Sequence, residues 1–287
     1  MSNEKATGRD DAVEANIYVH SFLANAGEYN KSPHFKSENQ EKVRKILRRL
    51  ITDLRTRGVT KAIDFGCGTG FMLHLMQDLF DEVHGVDVTP AMMDQVDLSS
   101  GNVFLHESLA ESTRFENDFF EFASAYSFMD HLFDYKDFLR EAFRVLKPGG
   151  IFYSDLNPNR DFILSIAAAD AQNYGSEQLM PIVAREIKGA LHNGEHYQQT
   201  FGLNANQLEK AEPVKSINKG FSATEVLSAA RTIGFTSCNV EYEWFLGQAK
   251  VMHEQSKSDS DTVENYLNAV VPVSSHLFKY LRFIFIK

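Results

Sequence analysis

Apolar and polar residues alternate along this chain with two different periods. Ser37 and Gln40 have the spacing of a capping box, and apolar side chains at every third or fourth position after it predict a helix that ends near Gly58. Short apolar runs predict five strands, and helical patterns separate most of them. The strands fall at residues 61–65, 82–87, 103–106, 119–125 and 151–155, with helices at 71–80, after the Thr89-Pro90 pair and at 135–146. Strands that alternate with helices in this way indicate a parallel sheet covered on both faces.

The alternation stops after residue 156 and resumes near Ser222. Residues 157–219 contain helical stretches at 162–171 and 179–191 but no strand pattern. Beyond them, Ser222 and Glu225 have the spacing of a capping box at the start of a helix, and two more strands follow at 238–245 and 280–286. We therefore expect an N-terminal lid segment over 1–36 that is partly mobile, a core over 37–156, a substrate cap over 157–220 and the rest of the core over 221–287.

The composition restricts the class of protein further. The chain has 287 residues, of which 43% are apolar and 12% aromatic, enough for a sizeable core. A formal net charge of −10 argues against nucleic acid or anionic lipid as the main partner, because basic patches bind those. Two cysteines, a polar N-terminus and the lack of a long apolar run predict a cytoplasmic protein without a disulfide framework or a membrane span.

A glycine-rich loop, Asp64-Phe-Gly66-Cys-Gly68-Thr-Gly70, joins the first strand to the next helix. Glycines in such a loop allow a ligand to approach the backbone closely. The loop does not match the Gly-x-Gly-x-x-Gly fingerprint of dinucleotide-binding proteins, because Phe71 takes the place of the third glycine. Asp64, two positions before the first glycine, suits a ligand with positive charge better than a pyrophosphate.

A second acidic residue closes the second strand. Asp87 lies 23 positions after Asp64. A carboxylate at this strand end can accept hydrogen bonds from both hydroxyls of a ribose. A cationic ligand that has a ribose and lacks phosphate is S-adenosylmethionine, which the loop and the strand end together predict.

The region from about 60 to 155 resembles the core of a class I S-adenosylmethionine-dependent methyltransferase of the small-molecule type. Residues 64–70 match the first motif of that family, Gly85-Val-Asp87 its second, and the Leu-Lys-Pro-Gly-Gly segment at 146–150 a further one. Residues 120–132 are similar to the fourth strand of the family. The resemblance implies a Rossmann-like α/β fold with a seven-stranded, mostly parallel sheet, helices on both faces and, here, a helical lid inserted after the fifth strand.

One position departs from the family pattern. The family often has an Asp-Ala pair after the third strand, where the aspartate binds the adenine amino group, and this chain has Leu109-Ala110. Leu109 can only pack on the ring, with Ser112 or Glu111 as polar substitutes. The resemblance thus implies cofactor contacts from Tyr29, Asp64, Gly66, Cys67, Gly68, Gly70, Asp87, Val88, Met92, Leu109, Ala110 and Ala125. For Tyr29, a cofactor contact and simple packing of aromatic rings both remain open.

Histidine is the natural base for an oxygen nucleophile at neutral pH. His131 follows the fourth strand, at the sheet edge where ligands bind, and is the candidate catalytic residue. The alternative is that it caps a helix or binds a backbone carbonyl.

Two groups of residues have side chains of the types that bind metal ions. Asp130 and His131 with Asp155 and Asn157 suggest magnesium, but Ala125 stands where a metal-dependent enzyme of the catechol type has its aspartate. His192 and His196 are four apart, yet Gly194 between them argues against a ligand pair on a helix. No metal is therefore predicted.

The leading hypothesis is a methyltransferase that acts on an O or N nucleophile of a small metabolite. Residues 124–127, Ser-Ala-Tyr-Ser, lack the Asn/Asp-Pro-Pro-Tyr signature of many nucleic-acid methyltransferases. Residues 157–219 contain six basic and seven acidic residues, so the expected cap has no excess of charge for phosphate. A non-catalytic sensor of S-adenosylmethionine or a partner subunit is the alternative, a nicotinamide oxidoreductase is disfavoured, and a homodimer stays open.

Overall fold

The computed structural model describes residues 2–27, 36–52, 54, 60–173, 181–191, 198–199 and 202–287. The strands are β1 (Lys61–Phe65), β2 (Glu82–Asp87), β3 (Val103–Glu107), β4 (Phe120–Tyr126), β5 (Leu146–Pro158), β6 (Ser237–Phe245) and β7 (Phe278–Ile286). The helices are α1 (Ser2–Asn25), α2 (Ser37–Leu50), α3 (Phe71–Met76), α4 (Pro90–Met93), α5 (Tyr135–Val145), α6 (Arg160–Asn173), α7 (Pro181–Leu191), α8 (Ala205–Ala211), α9 (Pro213–Ser216), α10 (Ala223–Ile233), α11 (Gln248–Glu254) and α12 (Lys257–Ala269).

All seven strands form one sheet in the order β3-β2-β1-β4-β5-β7-β6. β7 runs antiparallel to both of its neighbours, and the remaining pairs are parallel. The predicted seven-stranded, mostly parallel, Rossmann-like sheet is confirmed. Two large apolar clusters cover its two faces, and every residue of β4 is buried. The strand order reverses between β1 and β4, and ligands bind beyond the carboxyl ends of such strands.

The pattern of apolar residues did not predict α1. This helix has almost no amphipathic contrast, because most of its side chains are polar and its contact surface is made of small residues. Ala15, Val19 and Leu23 pack against Leu203, Leu208 and Ala211. Its burial therefore depends on residues almost 200 positions away, which a local period cannot reveal.

The two predicted capping boxes have different outcomes. The Ser222 side chain accepts a hydrogen bond from the Glu225 amide at the start of α10, as predicted. The box at Ser37 and Gln40 is wrong, because α2 begins one residue earlier and Lys36 is its N-cap. A hydroxyl caps a helix from the N-cap position, which Ser37 does not occupy.

Helices α6 to α9 lie in the described part of residues 157–220, from the end of β5 onward. The segment is helical, as expected, while its function as a lid and the four domain boundaries stay predictions. Tyr29, His192 and His196 lie outside the described residues. Among the helices that are described, none combines the length and the apolar character that a bilayer crossing requires.

Candidate active site

The glycine loop is fixed to the end of β2 by backbone hydrogen bonds. The amides of Gly66 and Cys67 both donate to the Val86 carbonyl, at 2.8 and 3.0 Å. Gly66 has a φ of 68°, in the left-handed region that favours glycine. A Cβ at this position would collide with the ring of Phe128. The loop therefore needs glycine both for its backbone conformation and for the close approach of Phe128.

Asp87 holds the same loop from the other side. Its Oδ2 accepts from the Gly68 amide at 2.9 Å and its Oδ1 from the Thr89 amide at 2.8 Å. Burial raises the pKa of Asp87, and these amide donors oppose that change. Asp87 also lines the cavity in front of the loop, so a ligand bound there can contact its carboxylate.

A cavity of about 70 Å³ lies in front of the loop. Eight residues that the sequence predicted for the site line it: Gly66, Gly68, Asp87, Val88, Met92, Leu109, Ala110 and His131. The sequence did not predict several other residues of the lining. Among them are Arg9, Ala12, Val13, Asn16 and His20 of α1 and also Ser127, Phe128, Leu132 and Phe133. The structure thus brings residues from four strand ends together with the N-terminal helix.

Four other predicted cofactor residues do not line this cavity: Asp64, Cys67, Gly70 and Ala125. Asp64 is 2% exposed, and its Oδ1 accepts from the Ser124 hydroxyl at 2.6 Å. Burial raises the pKa of Asp64 to about 8. Cys67 is buried, Gly70 is the N-cap of α3, and Ala125 lies inside β4. Their contacts with a cofactor stay predictions.

His131 ends a short 3-10 turn, Met129–His131, that follows β4. Its Nδ1 lies 2.9 Å from the carbonyl oxygen of Ala211. Since a carbonyl can only accept, Nδ1 carries the hydrogen, and Nε2 of the neutral ring holds the lone pair. The Asn16 side-chain amide donates to the His131 carbonyl at 3.2 Å. The expected backbone-carbonyl contact is therefore present, and it leaves one ring nitrogen able to accept a proton.

His20 of α1 packs edge-on against His131, with ring centroids 4.9 Å apart. Burial and the nearby His131 lower the pKa of His20 to about 3. The folded chain therefore binds fewer protons than the unfolded chain between pH 6.5 and 3. His20 stabilises the fold fully above pH 6.5, and this contribution is lost as the pH falls.

We expect the free energy of unfolding to fall by about 1–2 kcal/mol from His20 alone between pH 7.5 and pH 5. Urea unfolding at both pH values measures it. His20→Gln should reduce the difference, whereas His253→Gln, at an exposed histidine, should not. A residual slope is expected because burial lowers the pKa of His84 and His106 too. An unchanged slope in the folded His20→Gln variant would contradict the assignment.

Two of the four residues that suggest magnesium, Asp155 and Asn157, are held by β7. Arg282 donates from Nε to Asp155 at 2.8 Å, and the Asn157 amide donates to the Leu281 carbonyl at 3.0 Å. These contacts attach β5 to β7. In the part of the chain that the structure describes, no group of three or more His, Cys, Asp or Glu side chains is arranged to hold a metal ion.

Comparisons with known proteins bear on the same region. Residues 63–154 match the sequence model of a family described as methyltransferase domain. The chain is 30% identical over 117 residues to a ubiquinone biosynthesis O-methyltransferase of Idiomarina loihiensis, which is 38% of this chain and 48% of that protein. It is 31% identical over 140 residues to a demethylmenaquinone methyltransferase of Staphylococcus aureus, 46% of this chain and 57% of that protein. The chain spans about half the length of the curated relatives it matches.

Solved structures with a similar backbone fold were also found. A SAM-dependent methyltransferase from Archaeoglobus fulgidus has a TM-score of 0.49 at 15% identity, covering 86% of this chain and 94% of that one. The YcgJ protein from Bacillus subtilis has a TM-score of 0.47 at 16% identity, covering 84% and 98%. The assignment of the fold stands on the strand order itself.

Proposed function

We propose that this chain is an S-adenosylmethionine-dependent methyltransferase that methylates an O or N nucleophile of a small metabolite. The match of residues 63–154 to the methyltransferase-domain model supports the proposal. The observation that carries it is one cavity lined by Asp87, the glycine loop and His131.

The residues around the cavity fit the cofactor. Asp87 lines the cavity, where its carboxylate would accept hydrogen bonds from the ribose hydroxyls, and the glycine backbone leaves room beside it. Leu109, Val88 and Met92 supply apolar surface for the adenine ring. Because S-adenosylmethionine has no phosphate, the site needs no positively charged side chain to bind one. The cofactor would supply a methyl group on a sulfonium. When a nucleophile attacks the methyl carbon in line, the carbon–sulfur bond would break and S-adenosylhomocysteine would leave as the neutral thioether.

We assign His131 as the general base that takes the proton of the acceptor. When an acceptor hydroxyl loses its O–H bond and gains the methyl group, Nε2 of His131 takes the hydrogen as a proton. The Nδ1–H donated to Ala211 stays in place and keeps the ring oriented. Phe128 and Phe133 also line the cavity and suit a flat or apolar acceptor. The names of the quinone-pathway relatives support a small-molecule acceptor.

The experiment that tests this function compares methyl incorporation into two fractions. A lysate is incubated with the purified chain and S-adenosylmethionine tritiated on the methyl group. We expect label in the small-molecule fraction and none above background in protein or nucleic acid. Cofactor binding without label in any fraction would favour the alternative, a non-catalytic sensor or partner subunit.

Asp87→Ala tests the cofactor site in the same preparation. The variant loses a charged acceptor worth about 1.5–3 kcal/mol, so its affinity for S-adenosylhomocysteine should fall about ten- to hundredfold. Calorimetry measures the affinity. Glu107→Ala is the matched control, because Glu107 is the neighbour of Asp87 at the end of β3 and does not line the cavity. Equal affinities of the two folded variants would contradict the role of Asp87.

A further inference from the structure

A second group of charged side chains lies beside His131, on the helical segment that follows β5. Glu212 joins α8 to α9, and its Oε2 lies 2.8 Å from the Nζ of Lys215. Both side chains are about one-fifth exposed. In the turn of His131 itself, Asp130 Oδ1 is 4.0 Å from His131 Nε2. One carboxylate near the ring thus comes from its own turn, and Glu212, whose charge interacts with His131, comes from the inserted helices.

The backbone connects this group to His131 directly. The carbonyl that accepts from His131 Nδ1 belongs to Ala211, the residue before Glu212 and the last residue of α8. Ala211 is completely buried and packs in the cluster that attaches α8 to α1. Any shift of the turn at Glu212 would move this carbonyl and with it the orientation of the imidazole.

The titratable groups around the His131 ring differ in how their surroundings shift their pKa. Burial would raise the pKa of Glu212, but Lys215 and His131 outweigh burial and lower it, so Glu212 is ionised at neutral pH. Although burial opposes it, the Glu212 carboxylate raises the pKa of Lys215. Burial raises the pKa of Asp130, whose Oδ1 accepts no hydrogen bond. His20, which faces the ring from α1, is neutral at pH 7. Of the two carboxyl groups near His131, Glu212 therefore holds its negative charge to lower pH than Asp130 does.

We propose that Glu212 is a positioning residue for His131: its carboxylate, held by Lys215, balances the positive charge of the imidazole after proton uptake, and its turn keeps the Ala211 carbonyl on Nδ1. The inference rests on the proposed function, since it assigns a partner to the base of that reaction. It also gives the segment after β5 a part in the chemistry.

Charge variants of the full chain separate this role from a merely structural one. Glu212→Gln removes the negative charge and keeps the shape, so proton uptake by His131 becomes less favourable. The midpoint of the acidic limb of kcat against pH should move down by about half a unit or more. Lys215→Gln should move it up, because it removes a positive charge. Glu212→Asp keeps the negative charge, so its midpoint should stay close to that of the wild type. KM for S-adenosylmethionine should stay within about threefold of the wild-type value in all three variants.

Proton uptake can also be followed without turnover. NMR of histidine rings labelled with ¹⁵N, with the His131 signal assigned from His131→Gln, should show the same opposite shifts in the chain without ligands. An unchanged His131 titration in both charge variants would overturn the proposal. If the titration shifts as expected but the wild-type chain methylates no small molecule, the proposed function fails and the pairing of Glu212 with His131 stands.

Discussion

Gly66→Val is expected to abolish the binding of S-adenosylhomocysteine. The residue has a φ of 68°, where a β-branched side chain is strained by about 1–3 kcal/mol. Its new side chain would also collide with the Phe128 ring, which lines the cavity. Either Phe128 moves into the space of the cofactor or the loop leaves the Val86 carbonyl. Both outcomes should weaken binding by more than about a hundredfold in calorimetry.

Gly101→Val is the matched control for this variant. Gly101 has a φ of 75°, and no atom lies within 4 Å of the position of its Cβ. The two variants therefore share the backbone strain, and only one of them crowds the cavity. Far-ultraviolet circular dichroism should remain native in both. If folded Gly66→Val binds as tightly as Gly101→Val, the loop is an ordinary turn and the assignment of the cofactor site is wrong.

The part of the site that the sequence predicts is the part whose residues are close in the chain. Gly66 and Gly68 follow a strand directly, and Asp87 closes the next strand of the same crossover unit. In parallel sheets such strand ends meet at one edge, so the spacing alone brings them together. The structure accordingly places all three on one cavity.

Asp64 illustrates a limit of this kind of prediction. It belongs to the same motif, but it pairs in register with Ser124 of β4, and the two side chains face each other inside the sheet. Side chains of paired strand residues point to the same face, and the partner of Asp64 depends on the strand order. The motif predicted an acidic residue next to the loop, but it did not predict which way the side chain of that residue points.

The part of the cavity lining that α1 contributes could not be predicted for a different reason. His20 and Asn16 reach the site from a helix whose burial depends on apolar residues in and just before α8. The contact of His131 with Ala211 joins residues 80 positions apart in the chain. No period or motif marks either contact, because both arise only when α1 and the inserted helices pack over the sheet edge.

His131→Gln is expected to lower kcat by about a hundredfold or more, because a positioned base contributes about 10²–10⁴ in rate. Glutamine keeps a polar side chain of similar reach but takes up no proton at neutral pH. The affinity for S-adenosylhomocysteine should change little, since Asp87 and the glycine loop are untouched. A rate that keeps rising at alkaline pH is also expected, because the acceptor then ionises without help from the protein.

His74→Gln is the control, at an exposed histidine of α3 outside the cavity. Steady-state assays of both variants with an acceptor from the small-molecule fraction give kcat and KM separately. A kcat of His131→Gln within about threefold of the control would exclude His131 as the base. In that case methyl transfer would depend on the positioning of the acceptor against the cofactor, which can supply much of the rate by itself. The contact with Ala211 would then serve only to hold the turn after β4.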